Sequence, residues 1–228
     1  MLISDTKRFI FVHVPKAAGK SVREALAPYC LPRPPKFHSL LRRFGLPRDY
    51  RRYRFRTHGG LVDAQRILPA AVFRDYFKFA FVRNPWDRLV SSYHYILERP
   101  GHPHHRRVRR LGSFAAYVEY EAHRGKFRQY DLLCRTGGEP GMDFVGRFER
   151  LEQDFDQVCR KLGIEAALPH VNVSRHRSYA DYYDPATRAL VERSWRQDIE
   201  AFGYTFDESP RDRKINRLDM QILIPVNN

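Results

Sequence analysis

The sequence predicts an α/β fold, a P-loop-like three-layer sandwich with a central parallel β-sheet flanked by helices, in one domain over residues 1–228. Three observations predict it. The stretch "FIFVHVPKAAGKS" runs from an apolar, β-branched strand through a loop of small residues into a segment of helical periodicity. Beyond it, strands alternate with helices, the pattern of a parallel sheet covered on both sides. Finally, 43% hydrophobic content over 228 residues is enough to bury one sizeable core, and no internal repeat appears.

In the first element, Phe9, Ile10, Phe11, Val12 and Val14 read as a buried strand. Val22, Ala25, Leu26 and Tyr29 then recur at i, i+3, i+4 and i+7, one face of a helix. Gly19, Lys20 and Ser21 fill the second half of G-x-x-x-x-G-K-[ST], but Val14 stands where the first glycine belongs. A loop of this kind aims backbone N–H groups and the positive end of the helix dipole at one point, which favours an anion. The plainer alternative is a tight turn without a ligand; Lys16, Gly19, Lys20 and Ser21 together exceed what a turn needs. Residues 31–52, with Pro32, Pro34, Pro35 and Pro47, read as an irregular excursion. "RYRFRTHGG" reads as a short strand with Tyr53 and Phe55 on its buried side, running into a loop at His58, Gly59 and Gly60. "FKFAFV" is a stronger strand, and Asn84 and Pro85 are placed to cap and open the helix carrying Trp86, Leu89, Val90, Tyr93 and Leu97. A fourth strand is expected at residues 144–148. The helix after it buries Leu151, Phe155, Val158, Cys159 and Leu162 and stops at Gly163, and a last helix runs from Asp184-Pro185 through Val191, Trp195, Ile199 and Phe202 to Gly203.

Charge narrows the partners. Forty-one Lys+Arg against 26 Asp+Glu leave +15, so anionic partners are preferred: nucleic acid, a phosphorylated cofactor or an acidic polysaccharide. "RDYRRYRFR" interleaves base with aromatics, but no nucleic-acid-binding module accompanies it, and nucleic acid is not the expected partner. Cys30, Cys134 and Cys159 have no metal-ligand spacing and cannot all pair, so neither a zinc site nor a disulfide scaffold is expected. In "GHPHHRRVRR", His102, His104 and His105 likewise lack metal geometry; the segment reads as a solvated basic loop suited to an anionic sugar chain. No apolar run approaches the roughly 20 residues of a membrane span. The first strand begins close to Met1, which implies a cytoplasmic, bacterial setting; an upstream anchor would place the chain in the Golgi lumen instead.

In such folds ligands lie beyond the carboxyl ends of the strands, and three exits carry chemistry: "PKAAGKS", "THGG" and "RNPWDRLVSSY". A kinase would need a strand-end carboxylate for Mg²⁺, yet the best strand delivers Arg83 there. An arginine suits a second phosphate, with Ser91 eight residues on to add a hydroxyl.

"HVPKAAGKS" with "FVRNPWDRLVSSY" resembles the two cofactor signatures of the carbohydrate sulfotransferases, which use 3′-phosphoadenosine 5′-phosphosulfate (PAPS) and release 3′-phosphoadenosine 5′-phosphate (PAP). The resemblance extends through "GRFERLEQDF", "LPHVNVS" and "DIEAFGYTF". It implies that Lys16, Ala17, Ala18, Gly19, Lys20 and Ser21 hold the 5′-phosphosulfate and that Arg83 and Ser91 hold the 3′-phosphate. Lys20 departs from the Thr or Ser usual at its place. The expected reaction is sulfuryl transfer from PAPS to a hydroxyl of a carbohydrate acceptor, an acidic glycan among the candidates. Lys16 meets the charge on the leaving phosphate and no metal is formally required. His58 is the candidate base, a neutral imidazole at the place where the uronosyl 2-O-sulfotransferase branch carries one. His13 reads as a packed core histidine, and His170, with Asn172, Ser174, Arg175 and Arg177, begins either a closing loop or a polar connector. A metal-dependent P-loop nucleotide kinase and a non-catalytic polyanion-binding protein are the alternatives.

Overall fold

The computed structural model describes residues 1–31, 49–52, 55–125, 128–169 and 177–207. The proline-rich excursion lies mostly outside them, as do Tyr53, His170, Asn172 and Ser174. Contacts divide the chain into two compact units, the first built from described residues 1–81 and 131–169, the second from 82–130 and 177–207.

The first unit holds a four-stranded sheet in the order β1 (Leu2–Ser4), β2 (Phe9–Val12), β3 (Phe77–Val82), β4 (Phe144–Arg147). β2 and β3 are parallel, with Phe9 opposite Phe77 and Phe11 opposite Phe79. β1, which the sequence pattern does not reveal, is antiparallel to β2, so the sheet is mixed rather than wholly parallel. The cause is local: only residues 5–8 join the two strands, too few for a parallel crossover, and Arg8 turns with φ 51.

Alternation along β2 and β3 puts Phe9, Phe11, Phe79 and Phe81 on one face, packed with Val22 and Leu26 of α1 (Gly19–Leu26) and with Phe155, Val158 and Cys159 of α8 (Leu151–Leu162). The rings of Phe11 and Phe79 lie 5.2 Å apart and those of Phe9 and Phe79 5.7 Å. Each such buried ring contributes about 1.5–3 kcal/mol. The opposite face, with Ile10, Val12 and Ala80, is also buried, which explains the continuous apolar runs. Lys78 shares that face at 3% exposure. Its ammonium pairs with Asp143 at 2.9 Å and donates to the Tyr76 carbonyl at 2.6 Å. Asp143 also takes the Lys78 backbone N–H at 2.7 Å and returns its own N–H to the Lys78 carbonyl at 2.8 Å, which sets where β4 meets β3. Between β2 and β3 lie α2 (Leu61–Ile67) and α3 (Ala70–Asp75).

The short strand expected before His58 is not found among the described residues: Phe55 and Arg56 lie outside any strand. Gly59 N–H turns back to the Arg56 carbonyl at 3.2 Å, and the amino group of Met1 donates to the Arg56 and Thr57 carbonyls at 3.1 and 2.7 Å, occupying acceptors that a ladder would use.

The second unit is helical: α4 (Pro85–Leu97), α5 (His105–Leu111), α6 (Phe114–Arg124), α9 (Pro185–Ser194) and α10 (Arg196–Phe202), with the short α7 (Tyr130–Leu133) where the chain leaves it. Asn84 caps α4 by accepting from Trp86 N–H at 3.0 Å, with Pro85 in the first turn as expected. The single last helix expected from the sequence is two. The backbone of Trp195 leaves helical angles at φ −115, ψ 24, with its ring buried at the break, while Ile199 N–H still bonds the Trp195 carbonyl at 3.0 Å. No helix of the described residues is long and apolar enough to cross a membrane.

Candidate functional site

The first strand exit leaves β2 at Val12 and enters α1 at Gly19. Lys16 and Ala18 have φ of 67 and 55, left-handed angles that cost an L-residue on the order of 1–2 kcal/mol each. Left-handed residues alternating with right-handed ones curl the backbone so that successive N–H groups converge, a shape that binds anions. Ser21 and Val22 N–H both bond the Ala18 carbonyl, at 3.0 and 3.2 Å, but Ala18 has no side chain with which to cap the helix. The N–H groups of Gly19 and Lys20 belong to the opening turn, where a helix offers no acceptor of its own. Ala17 and Ser21 are buried, Lys16 is half-buried and Lys20 is exposed.

Gly19 is required by His13. A β-carbon at Gly19 would lie 1.9 Å from His13 Cδ2 and 2.1 Å from its Nε2, so the imidazole fills the space a side chain would take. His13 is buried, with its ring stacked on Phe11 at 6.2 Å, as expected of a packed core histidine. Its carbonyl has a second use. His58 Nδ1 lies 3.3 Å from the His13 oxygen, and a carbonyl can only accept, so the proton sits on Nδ1 and Nε2 keeps its lone pair. The two rings are 4.5 Å apart, edge to face. Desolvation holds the His58 pKa below the usual imidazole value, against the opposing pull of the bond to His13, so the ring is neutral at pH 7. A β-carbon at Gly59 would meet the Asp63 carboxylate at 2.9 Å, and one at Gly60 the Leu132 carbonyl at 3.3 Å, so both glycines serve packing. Beside the pair, His13, Lys20, Arg23, Glu24 and Thr57 line a cleft of about 360 Å³.

In the second unit, the backbone of Arg83 is clamped by Gln129, whose amide takes the Arg83 N–H at 2.9 Å and donates to its carbonyl at 2.8 Å. Gln129 is held in turn by Asp198, which accepts the N–H groups of Gln129 and Tyr130, both at 2.9 Å. Nothing in the spacing of these residues announces the clamp. The Arg83 guanidinium forms a two-pronged pair with Asp87, at 2.8 and 2.9 Å, and Ser91 follows Asp87 by one helical turn, buried at 4%. Arg88 is wholly buried 3.7 Å from Asp198, and burial lowers its pKa to about 10, which leaves it charged at neutral pH. Thus His58, His13 and the residue 16–21 loop come together in one unit, and Arg83, Asp87 and Ser91 in the other. Of the closing-loop candidates only Arg177 is described, over the Tyr182 ring at 5.9 Å. Among the described residues no three His, Cys, Asp or Glu side chains gather as a metal site, and all three cysteines are free thiols.

The sequence profile of the sulfotransferase family matches residues 1–205. The chain belongs to that family. It is 24% identical to mouse carbohydrate sulfotransferase 12 over 92% of its own length, spanning 61% of that relative. It is 25% identical to an uncharacterized protein of Archaeoglobus fulgidus over 47% of this chain and 86% of the other. Among solved structures, mouse sulfotransferase SULT7A1 complexed with PAP shares the fold at a TM-score of 0.52 and 15% identity, over 86% of each chain.

Proposed function

We propose that this sulfotransferase-family chain moves the sulfuryl group of PAPS onto a carbohydrate hydroxyl. The observation that carries the reading is the arrangement around His13: its ring fixes the anion-type loop at Gly19 while its carbonyl fixes the base-competent tautomer of His58. Lys16 to Ser21 would hold the 5′-phosphosulfate, and the loop fits an anion by its left-handed residues and uncapped helix start. Arg83 and Ser91 would hold the 3′-phosphate. The donor brings an activated sulfuryl group; the chain supplies position, charge and a base. His58 Nε2 removes the hydroxyl proton as the acceptor oxygen bonds to sulfur. Lys16 meets the negative charge left on the phosphate oxygen when its bond to sulfur breaks.

Calorimetric titration with PAP, with ATP plus Mg²⁺ and with an oligonucleotide tests the donor. Tight, metal-independent binding of PAP alone is expected, and a preference for ATP overturns the reading. Lys16→Ala should weaken both PAP binding and turnover, since it acts in the ground state and the transition state alike.

A further inference from the structure

Outside the nucleotide machinery, the second unit carries a concentrated positive face. The basic segment expected as a loop is helical from His105, because burial of Val108 gives it a packed side: α5 has the sequence HRRVRRL, with Val108 buried and Arg106, Arg107, Arg109 and Arg110 exposed. At 100° per residue those four arginines fan across the side opposite Val108. None of them pairs with a carboxylate among the described residues. The exposed carboxylates closest in sequence are Glu98, just after α4, and Glu119 on α6, and neither makes an ion pair with α5. Arginine ledges flank the helix. The Arg99 guanidinium lies 3.8 Å above the Tyr95 ring, and Arg107 and Arg124 lie 5.8 and 5.5 Å from the Tyr120 ring.

We propose that α5 and the loop before it form an exosite for an acidic polysaccharide, a carboxylated or sulfated glycan chain that crosses the helix. The inference rests on the carbohydrate reading above for the class of ligand and on this face for the place. Exposed guanidinium forks match carboxylate, sulfate and phosphate oxygens two at a time, and two further features favour a glycan over other polyanions. The faces of Tyr95 and Tyr120 are taken by arginines, so they do not offer the open stacking platforms on which single-stranded nucleic acids rely. The one fully apolar-facing residue of the helix core, Val108, points inward, so the helix lacks the exposed apolar stripe that inserts into a bilayer.

The test uses the full chain and three labelled or sedimentable probes: a length-defined heparin oligosaccharide, a single-stranded oligonucleotide of matched charge, and phosphatidylserine vesicles. Two fourfold variants are compared, R106Q/R107Q/R109Q/R110Q and a control, R66Q/R160Q/K161Q/R193Q, which removes the same charge from exposed positions elsewhere. Glutamine keeps helix propensity, and circular dichroism confirms the fold. The expected result is that wild type prefers the heparin probe, that the α5 variant binds it roughly 10–100-fold more weakly with a flatter salt dependence, and that the control loses much less. Equal loss in both variants, or retention by the α5 variant, overturns the proposal. A preference for the oligonucleotide or the vesicles overturns the choice of a glycan. PAP titration of the same proteins separates the two readings: failure of wild type to bind PAP removes the sulfotransferase reading, whereas PAP binding preserved in an α5 variant that still holds heparin removes only the exosite.

Discussion

Replacing Gly19 with alanine should do far more damage than one methyl group ordinarily does. The added carbon would sit 1.9 Å from His13 Cδ2, against a contact distance of roughly 3.5–4.0 Å for carbon pairs. His13 has little room to retreat, because its ring is buried against Phe11 and its carbonyl is tied to His58. Overpacking of this kind costs about 1–3 kcal/mol. In a chain of this size that is a fall of about 2–12 °C in Tm. The assay is a double-mutant cycle by urea or thermal unfolding, with G19A, H13A and the pair, alongside PAP titration. Without the imidazole the clash disappears, and alanine in a helix is favoured over glycine by about 0.5–1 kcal/mol. In the H13A background the substitution should therefore be neutral or stabilising, a coupling of at least about 1 kcal/mol. Equal destabilisation in both backgrounds, or none in wild type, would refute the account of Gly19.

Arg83→Ala should remove most of the preference for PAP over AMP, a loss on the order of 1.5–3 kcal/mol per charged hydrogen bond. Asp87→Asn should keep or strengthen PAP binding, because it weakens the carboxylate that occupies the Arg83 fork in the structure; equal losses in the two variants would show that the pair itself is what the site needs. His58→Ala should lower turnover roughly 10²–10⁴-fold with PAP affinity intact. Because desolvation depresses the folded pKa of His58 below the usual imidazole value, the acid limb of kcat/KM should lie at lower pH than that of an ordinary imidazole base. The same shift adds a little stability that is present above the unfolded imidazole pKa and lost as pH falls through the folded one, measurable as a difference between wild type and His58→Ala. Asp198→Ala strands the buried Arg88 and the N–H groups of Gln129 and Tyr130, and should cost about 3–5 kcal/mol by urea unfolding.

The elements that the sequence makes legible are those whose signals are local. Phe9 to Val12, "FKFAFV", the Asn84-Pro85 cap and the Gly163 stop are each written in a few adjacent residues. α6 was not among the expected elements, although it carries local signals of the same kind, with Ser113 capping, Gly125 closing and Phe114, Tyr117, Val118 and Glu121 buried. The features that stay hidden depend on partners far along the chain. The strand expected at Phe55 yields to a turn and to Met1, and the break at Trp195 accompanies a buried ring and a carboxylate that reaches Gln129. In the candidate site, residue types and spacing point to His58, Lys16 and Arg83, but not to what holds them. The His13 carbonyl acts as a backbone acceptor, and the Gln129 side chain acts on the backbone of Arg83; contacts with a backbone partner carry no signature in the sequence.

The Lys78–Asp143 lock has a consequence for the chain as it is made. Its two partners are separated by 65 residues, so a nascent chain exposes "FKFAFV" well before the carboxylate that completes it is synthesised. Six residues of high β-propensity without proline are the kind of segment that pairs with its own copies on neighbouring chains. Lys78 places a charge at the second position of that run, and a stacked array of such strands would bring like ammonium groups into register, which repels self-association. Once Asp143 arrives, the same charge is neutralised and passes into the interior. Lys78→Met would remove the penalty of a buried charge in the finished fold, yet leave the waiting strand without its guard, so the yield of soluble protein would fall even where the purified protein is no less stable.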